Sequence, residues 1–270
     1  MCYNSLDSCT KGDNIPMAYQ HILTEFKQGL GTITLNRPPV NVLNIAMMEE
    51  INAALKGWLG KKDLKVVLFN AKGKCFSAGV DVGEHMGDLA PKMITAFHLM
   101  FRLMDKLGIP TVSSVYSSCL GGGCELAVFS DLVIAGEGAK FGQPEIQVGV
   151  FPPIAAHIMP RIIGRKAAMD LILSGRIISA AEALQMGLIN KVVKDQDLEK
   201  ETESFLTYLG LSAEVLRQTK KAIAAGLHDD LEASLVPIEE IYLGKLMKTH
   251  DAQEGLKAFL EKRKPVWKDE

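Results

Sequence analysis

Three short runs limit what this chain can fold into: VVLFN at 66–70, TVSSVY at 111–116 and LVIA at 132–135. Each is brief, rich in β-branched residues and bounded by turn-forming residues, so each predicts a strand covered on both faces. Segments with helical spacing lie between them. Ile45–Trp58 puts Met48, Ile51, Leu55 and Trp58 on one stripe, and 90–107 reads as an amphipathic helix with Pro91 in its first turn. This alternation predicts an α/β protein with a mostly parallel sheet clothed by helices.

Upstream, 21–27 and 32–36 read as two strands around a turn of Gln28, Gly29 and Gly31, stopped by Arg37-Pro38-Pro39. Past Pro152 the pattern turns helical, with helices expected at 155–163, 166–173, 180–186, 198–209, 213–226, 231–247 and 252–261. One strand, 189–193, interrupts them. The chain divides accordingly into a flexible leader at 1–18, a core carrying the site at 19–200 and a helical region at 201–270.

Formal net charge is −2 and no long basic run is present, which argues against nucleic acid as a partner. A polyanionic ligand would need a local basic patch. The five cysteines are odd in number and form no C-x-x-C pair, which points to a reducing compartment and away from structural zinc. No apolar run approaches the ~20 residues of a membrane span. The first sixteen residues match neither a secretory signal nor a mitochondrial presequence, so a cytoplasmic protein is expected.

Three segments can carry chemistry. FSAGVD, Phe76 to Asp81, is a loop of small residues after a strand, able to turn backbone N–H groups toward a ligand; alone it equally reads as an ordinary turn. SCLGGGCELAVFSD, Ser118 to Asp131, sets three glycines between a strand and a helix. A ligand can approach the backbone there, and the helix N-terminus offers free N–H donors suited to an oxyanion. Glu125 falls in the first turn of that helix, where a glutamate also simply suits the dipole. KFGQPEIQVGVFPP, Lys140 to Pro153, places Glu145 in a rigid turn among apolar neighbours. Partial desolvation would raise its pKa toward the range of proton transfer, unless it is an ordinary solvated glutamate. No dinucleotide fingerprint, phosphate loop, nucleophile elbow or H-E-x-x-H motif is present.

With TITLNRPPVNVLN from Thr32, ILSGRIISAAEALQMGLINKVV from Ile172 and DAQEGLKAFLEKRKPVW from Asp251, these segments resemble the enoyl-CoA hydratase/isomerase (crotonase) superfamily, in order and from about His21 onward. The resemblance implies a crotonase spiral of β-β-α turns with a helical C-terminal trimerisation region, and a homotrimer or dimer of trimers. It implies an acyl-CoA thioester as substrate, with coenzyme A part of the substrate and no cofactor or metal. The backbone N–H groups of Val80 and Gly122 would hold the thioester oxygen. Glu125 would orient and deprotonate a water, and Glu145 would supply a proton to the α-carbon. Ala78, Gly79 and Val82 would lie along the coenzyme A moiety, with Gly121 beside it. Two intact glutamates favour hydration over isomerisation. The chain departs from the usual hydratase pattern after Gly149. Pro152, Pro153, Ile154, Ala155 and Ala156 stand where a proline and a glycine-rich turn are usual, which stiffens the pocket. That version resembles hydratases of cyclohexa-1,5-diene-1-carbonyl-CoA, and Pro152 and Pro153 are therefore expected at the acyl end.

Cys119 and Cys124 read as small buried hydrophobes, Asp81 as structural, and His157 as structural more than substrate-touching. His85 and Asp88 are candidates for substrate contact. Met93, Phe97 and Phe101 are candidates for an acyl pocket. Lys262, Arg263 and Lys264 are either a solvated run or a coenzyme A phosphate contact.

Overall fold

In the computed structural model, residues 19–207, 213–225 and 231–266 are described. The leader expected at 1–18 lies outside them.

The chain opens with a hairpin, β1 (Ile22–Lys27) and β2 (Leu30–Leu35), paired antiparallel. Its turn is Gln28-Gly29, both at positive φ (52° and 87°), a two-residue loop whose twist matches that of the strands. Gly31, expected in the turn, is instead in β2. A Cβ there would lie 3.0 Å from the Trp58 ring, so the missing side chain lets α1 (Ile45–Trp58) pack close. Asn44 caps α1 by accepting the Met47 N–H at 3.0 Å.

Three turns of one pattern follow. β3 (Val66–Ala71) joins the main sheet, the segment around Ser77 bridges to a second sheet, and α2 (Leu89–Leu107) returns. β4 (Thr111–Val115) joins the main sheet, β5 (Ser118–Leu120) the second, and α3 (Gly122–Phe129) returns. β6 (Leu132–Gly136) joins the main sheet and β7 (Lys140–Gly142) the second. A 3-10 turn, Pro144–Val148, then leads to α4 (Pro153–Ile162). Next come α5 (Gly164–Ser174), β8 (Ile177–Ser179), α6 (Ala180–Gln185) and β9 (Lys191–Val193). The main sheet runs β1-β2-β3-β4-β6-β9, parallel after the first pair, and the second runs β5-β7-β8. Each β-β-α turn thus steps from one sheet to the other, as the resemblance implies. The expected strand 189–193 shortens to β9, with Ile189 in the core.

The last elements are α7 (Leu198–Thr207), α8 (Ala213–Ala225), α9 (Leu231–Glu239) and α10 (His250–Leu260). The helix expected at 231–247 is not continuous: α9 gives way to a π-helical turn at Glu240–Lys245 and a 3-10 turn at Leu246–Lys248. Gly244, a poor helix former, sits in the widened turn. α10 lies against the Pro144–Val148 turn so closely that a Cβ on Gly255 would be 2.2 Å from the Val148 carbonyl oxygen. Phe101 is core and not pocket: its ring meets Phe97 and Phe129 edge-on, each with centroids 4.9 Å apart.

Candidate active site

The second sheet brings the three motif loops together. Leu120 N–H donates to the Ser77 carbonyl at 3.0 Å, and Gly121 N–H to the Gly142 carbonyl at 3.0 Å. Phe76–Ala78, Leu120–Gly122 and Gly142–Glu145 therefore share one rim. Beneath it is a cavity of about 400 Å³, and the ten residues that the resemblance assigns to the site all line it: Ala78, Gly79, Val80, Val82, Gly121, Gly122, Glu125, Glu145, Pro152 and Pro153. Met93, Phe97 and His85 line it too. Asp88 is exposed at the start of α2, and His157 sits beside Arg161 on α4; neither is on the wall.

Two residues of this wall carry backbone N–H groups outside the regular ladders. Leu43 N–H donates to the Gly79 carbonyl (2.8 Å) and Asp81 N–H to the Leu43 carbonyl (2.9 Å), a parallel bridge that leaves the Val80 N–H directed away from that ladder. Gly122 is the first residue of α3, so its N–H has no partner within the helix. The loops touch: a Cβ on Gly79 would lie 3.4 Å from the Leu120 carbonyl oxygen and 4.0 Å from the Gly122 nitrogen. Gly121 has φ +52°, and a Cβ there would lie 2.8 Å from Glu145 Oε1. Asp81 is structural as expected: it caps the 3-10 turn Val82–His85, accepting the Gly83 N–H at 3.0 Å.

Glu125 is 2 % exposed, and its Oε1 accepts the N–H groups of Ile154 (2.7 Å) and Ala155 (2.9 Å). These are the second and third residues of α4, whose first is Pro153, so the carboxyl sits on a helix N-terminus. Pro153 lacks the N–H that would otherwise be unpaired, and its fixed φ suits the first helical turn. Burial raises the Glu125 pKa and the two N–H groups oppose it, leaving it at about 7. Glu145 is half-buried, with its side chain on the cavity wall. Burial, and then the Glu125 charge, push it well above the usual carboxylate range. With its nitrogen turned to Glu145, the fully buried Gln143 amide lies 3.2 Å from both Glu145 oxygens. Two carboxyls on one cavity, both raised above the usual range, can share one proton between them.

The cavity has walls that the motifs did not announce. Phe151 and Tyr242 meet edge-on with centroids 5.2 Å apart, and Leu256 and Phe259 come from α10. Nothing local marks Tyr242, Leu256 or Phe259, because an apolar stripe on a helix reads as core. Gln143 carried a weak signal, two residues before Glu145. Cys119 and Cys124 are fully buried, and burial pushes the Cys119 thiol up, which fits an inert hydrophobe. Arg263 is engaged by Glu254 (2.5 and 2.7 Å) and Glu261 (2.6 Å), while Lys262 and Lys264 are exposed and off the wall. Among the described residues no group of three His, Cys, Asp or Glu could hold a metal ion.

The enoyl-CoA hydratase/isomerase family description matches residues 25–270. The chain belongs to that family. It is 38% identical over 237 residues to the cyclohexa-1,5-dienecarbonyl-CoA hydratase of Thauera aromatica, covering 88% of this chain and 92% of that one. It is 40% identical over 256 residues to a probable enoyl-CoA hydratase of Mycobacterium leprae, covering 92% and 98%. A crystal structure of an enoyl-CoA hydratase from Mycobacterium avium subsp. paratuberculosis superposes with a TM-score of 0.83 at 27% identity, over 93% of this chain and 99% of that one. The fold is the crotonase fold, and the enzyme is a hydro-lyase of the enoyl-CoA hydratase type.

Proposed function

We propose that the enzyme adds water reversibly to an α,β-unsaturated acyl-CoA, and that its favoured substrate is the cyclic cyclohexa-1,5-diene-1-carbonyl-CoA, formed where aromatic acids are degraded without oxygen. The observation that carries the hydration reading is the pair of carboxyls on one cavity, Glu125 near neutrality and Glu145 held well above the usual carboxylate range. Val80 and Gly122 N–H hold the thioester oxygen as charge develops on it. Ionised Glu125 takes a proton from the water, whose oxygen bonds to the β-carbon. Glu145 then protonates the α-carbon, and no cofactor is needed.

The ring is favoured by the acyl end of the cavity. α4 begins there at Pro152-Pro153, and the Phe151–Tyr242 pair offers an aromatic wall suited to a compact flat group. The Thauera relative supports this reading. The test is a screen of crotonyl-CoA against cyclic mono- and dienoyl-CoA, followed by product mass. Gain of one water with the cyclic diene turned over fastest is expected. Faster crotonyl-CoA turnover would assign a linear substrate, unchanged mass an isomerase, free coenzyme A a hydrolase, and no reaction a binding protein.

A homotrimer or dimer of trimers is part of the same proposal. Ile162, Met169, Leu173, Ile177 and Leu184 expose apolar surface along the α4–α6 stretch, Leu173 at 59% and Ile177 at 53%. Sedimentation is expected at three or six times the chain mass, and a monomer would overturn this. No described helix is long and apolar enough to cross a membrane. The buried free thiols of Cys75, Cys119 and Cys124 support a cytoplasmic setting.

A further inference from the structure

Tyr242 has no part in the chemistry above, yet it is built into the cavity. Its side chain is 1% exposed, and it occupies the π-helical turn after α9, a distortion often found at functional sites. The approach to that turn is fastened to α2. Glu239 accepts from His98 Nδ1 at 2.7 Å and from Arg102 at 2.8 Å, and Arg102 also donates to Glu232 at 2.7 Å. The ring is held edge-on by Phe151. Among the described residues nothing hydrogen-bonds to its hydroxyl, and that oxygen is not one of the fully enclosed unpartnered side-chain atoms, which fits a phenol tip open to the cavity. The hydroxyl shares the cavity with Glu125 and Glu145, whose charges act on it. Burial first, and then those charges, push the phenol well above its ordinary range, so it remains a donor.

We infer that Tyr242 is a third contact to the reacting water, donating to its oxygen while the two water O–H bonds face Glu125 and Glu145. This rests on the hydration reading. In the addition step one lone pair of the water oxygen bonds to the β-carbon, and one O–H proton passes to Glu125. The C=C electron pair moves toward the thioester oxygen, and the Glu145 proton completes the α-carbon. Tyr242 keeps its own proton throughout. By occupying the second lone pair it fixes the first toward the β-carbon, and by microscopic reversibility it holds the departing hydroxyl in dehydration.

The test compares Tyr242→Phe with the wild type on crotonyl-CoA and on the cyclic dienoyl thioester. Phenylalanine keeps the ring against Phe151, so the melting temperature is expected to stay unchanged. Loss of one hydrogen bond is expected to lower kcat about 10-fold, with KM within about twofold. The loss should be similar for every thioester that the wild type hydrates, because the water is common to them all. Tyr242→Leu, which also removes the ring, should lose at least as much. Wild-type kcat in Tyr242→Phe, a loss confined to KM, or a loss confined to one acyl group would each overturn the inference. A wild type that hydrates nothing would instead overturn the hydration reading, so the two failures are distinguishable.

Discussion

Glu145→Gln is expected to lower the hydration kcat by about 100- to 10,000-fold, the usual worth of a positioned acid or base, with thioester binding retained. Glu125→Gln should do the same. Glutamine can still accept the Ile154 and Ala155 N–H groups, so the α4 N-terminus stays in place while the base is lost. The two positions differ in how they shape the pH profile. In the wild type, kcat/KM should rise with pH through the Glu125 step at about 7, because the base must be ionised. It should fall where Glu145, held well above the usual carboxylate range, gives up its proton. The Glu125 step owes its height first to burial, so residual activity in Glu145→Gln should keep the rise near 7 and lose the fall. Stability should move the other way. A carboxyl whose pKa is raised on folding contributes stability below its unfolded value, and that contribution is lost as pH rises through the folded value. Glu145→Gln should therefore melt higher than the wild type at pH 8 and about the same near pH 4. An equal melting difference at both pH values, or full activity in either variant, would sink the shared-proton assignment.

The elements that sequence revealed are those whose pattern is local. The strand at Val66–Ala71 was legible because its core side chains leave no alternation, and Ile45–Trp58 because its stripe repeats over four turns. β5, β7 and β8 span three residues each, too few for any period, and they form the small sheet that gathers the three motif loops. The glutamates and glycines were legible as motifs, and the cavity unites them. The groups that tune them were not. Glu125 is held by main-chain N–H of Ile154 and Ala155, which carry no side-chain signature, and Tyr242 arrives from 117 residues farther along the chain. The Pro152-Pro153 departure was first a clue to substrate shape. It is also the start of the helix whose N-terminus holds Glu125, so one pair of prolines bears on both the cavity wall and the Glu125 carboxyl.

The second large effect is expected at Gly122→Ala, a single added methyl group that should cost about 100- to 1000-fold in kcat, the scale of losing an oxyanion donor. A Cβ at 122 would lie 2.4 Å from Val80 Cγ2 and 3.1–3.2 Å from the edge of the Phe97 ring. Val80 is β-branched and stiff at χ1, and its backbone is pinned on both sides through Leu43, so it yields poorly. The cheaper response is for the loops bearing Val80 and Gly122 to part, which separates the two donors that must converge on one oxygen. Removing Val80 Cγ2 should reverse this. Val80→Ala keeps its own N–H and should be nearly as active as the wild type, and Val80→Ala combined with Gly122→Ala should recover a large part of the lost turnover. Recovery would be incomplete, since Phe97 still presses on the new methyl group. The measurement is a double-mutant cycle on kcat. Strictly additive losses would mean that the donors do not depend on this contact, whereas strong coupling would tie the oxyanion site to the packing of Val80 against the bare backbone at Gly122.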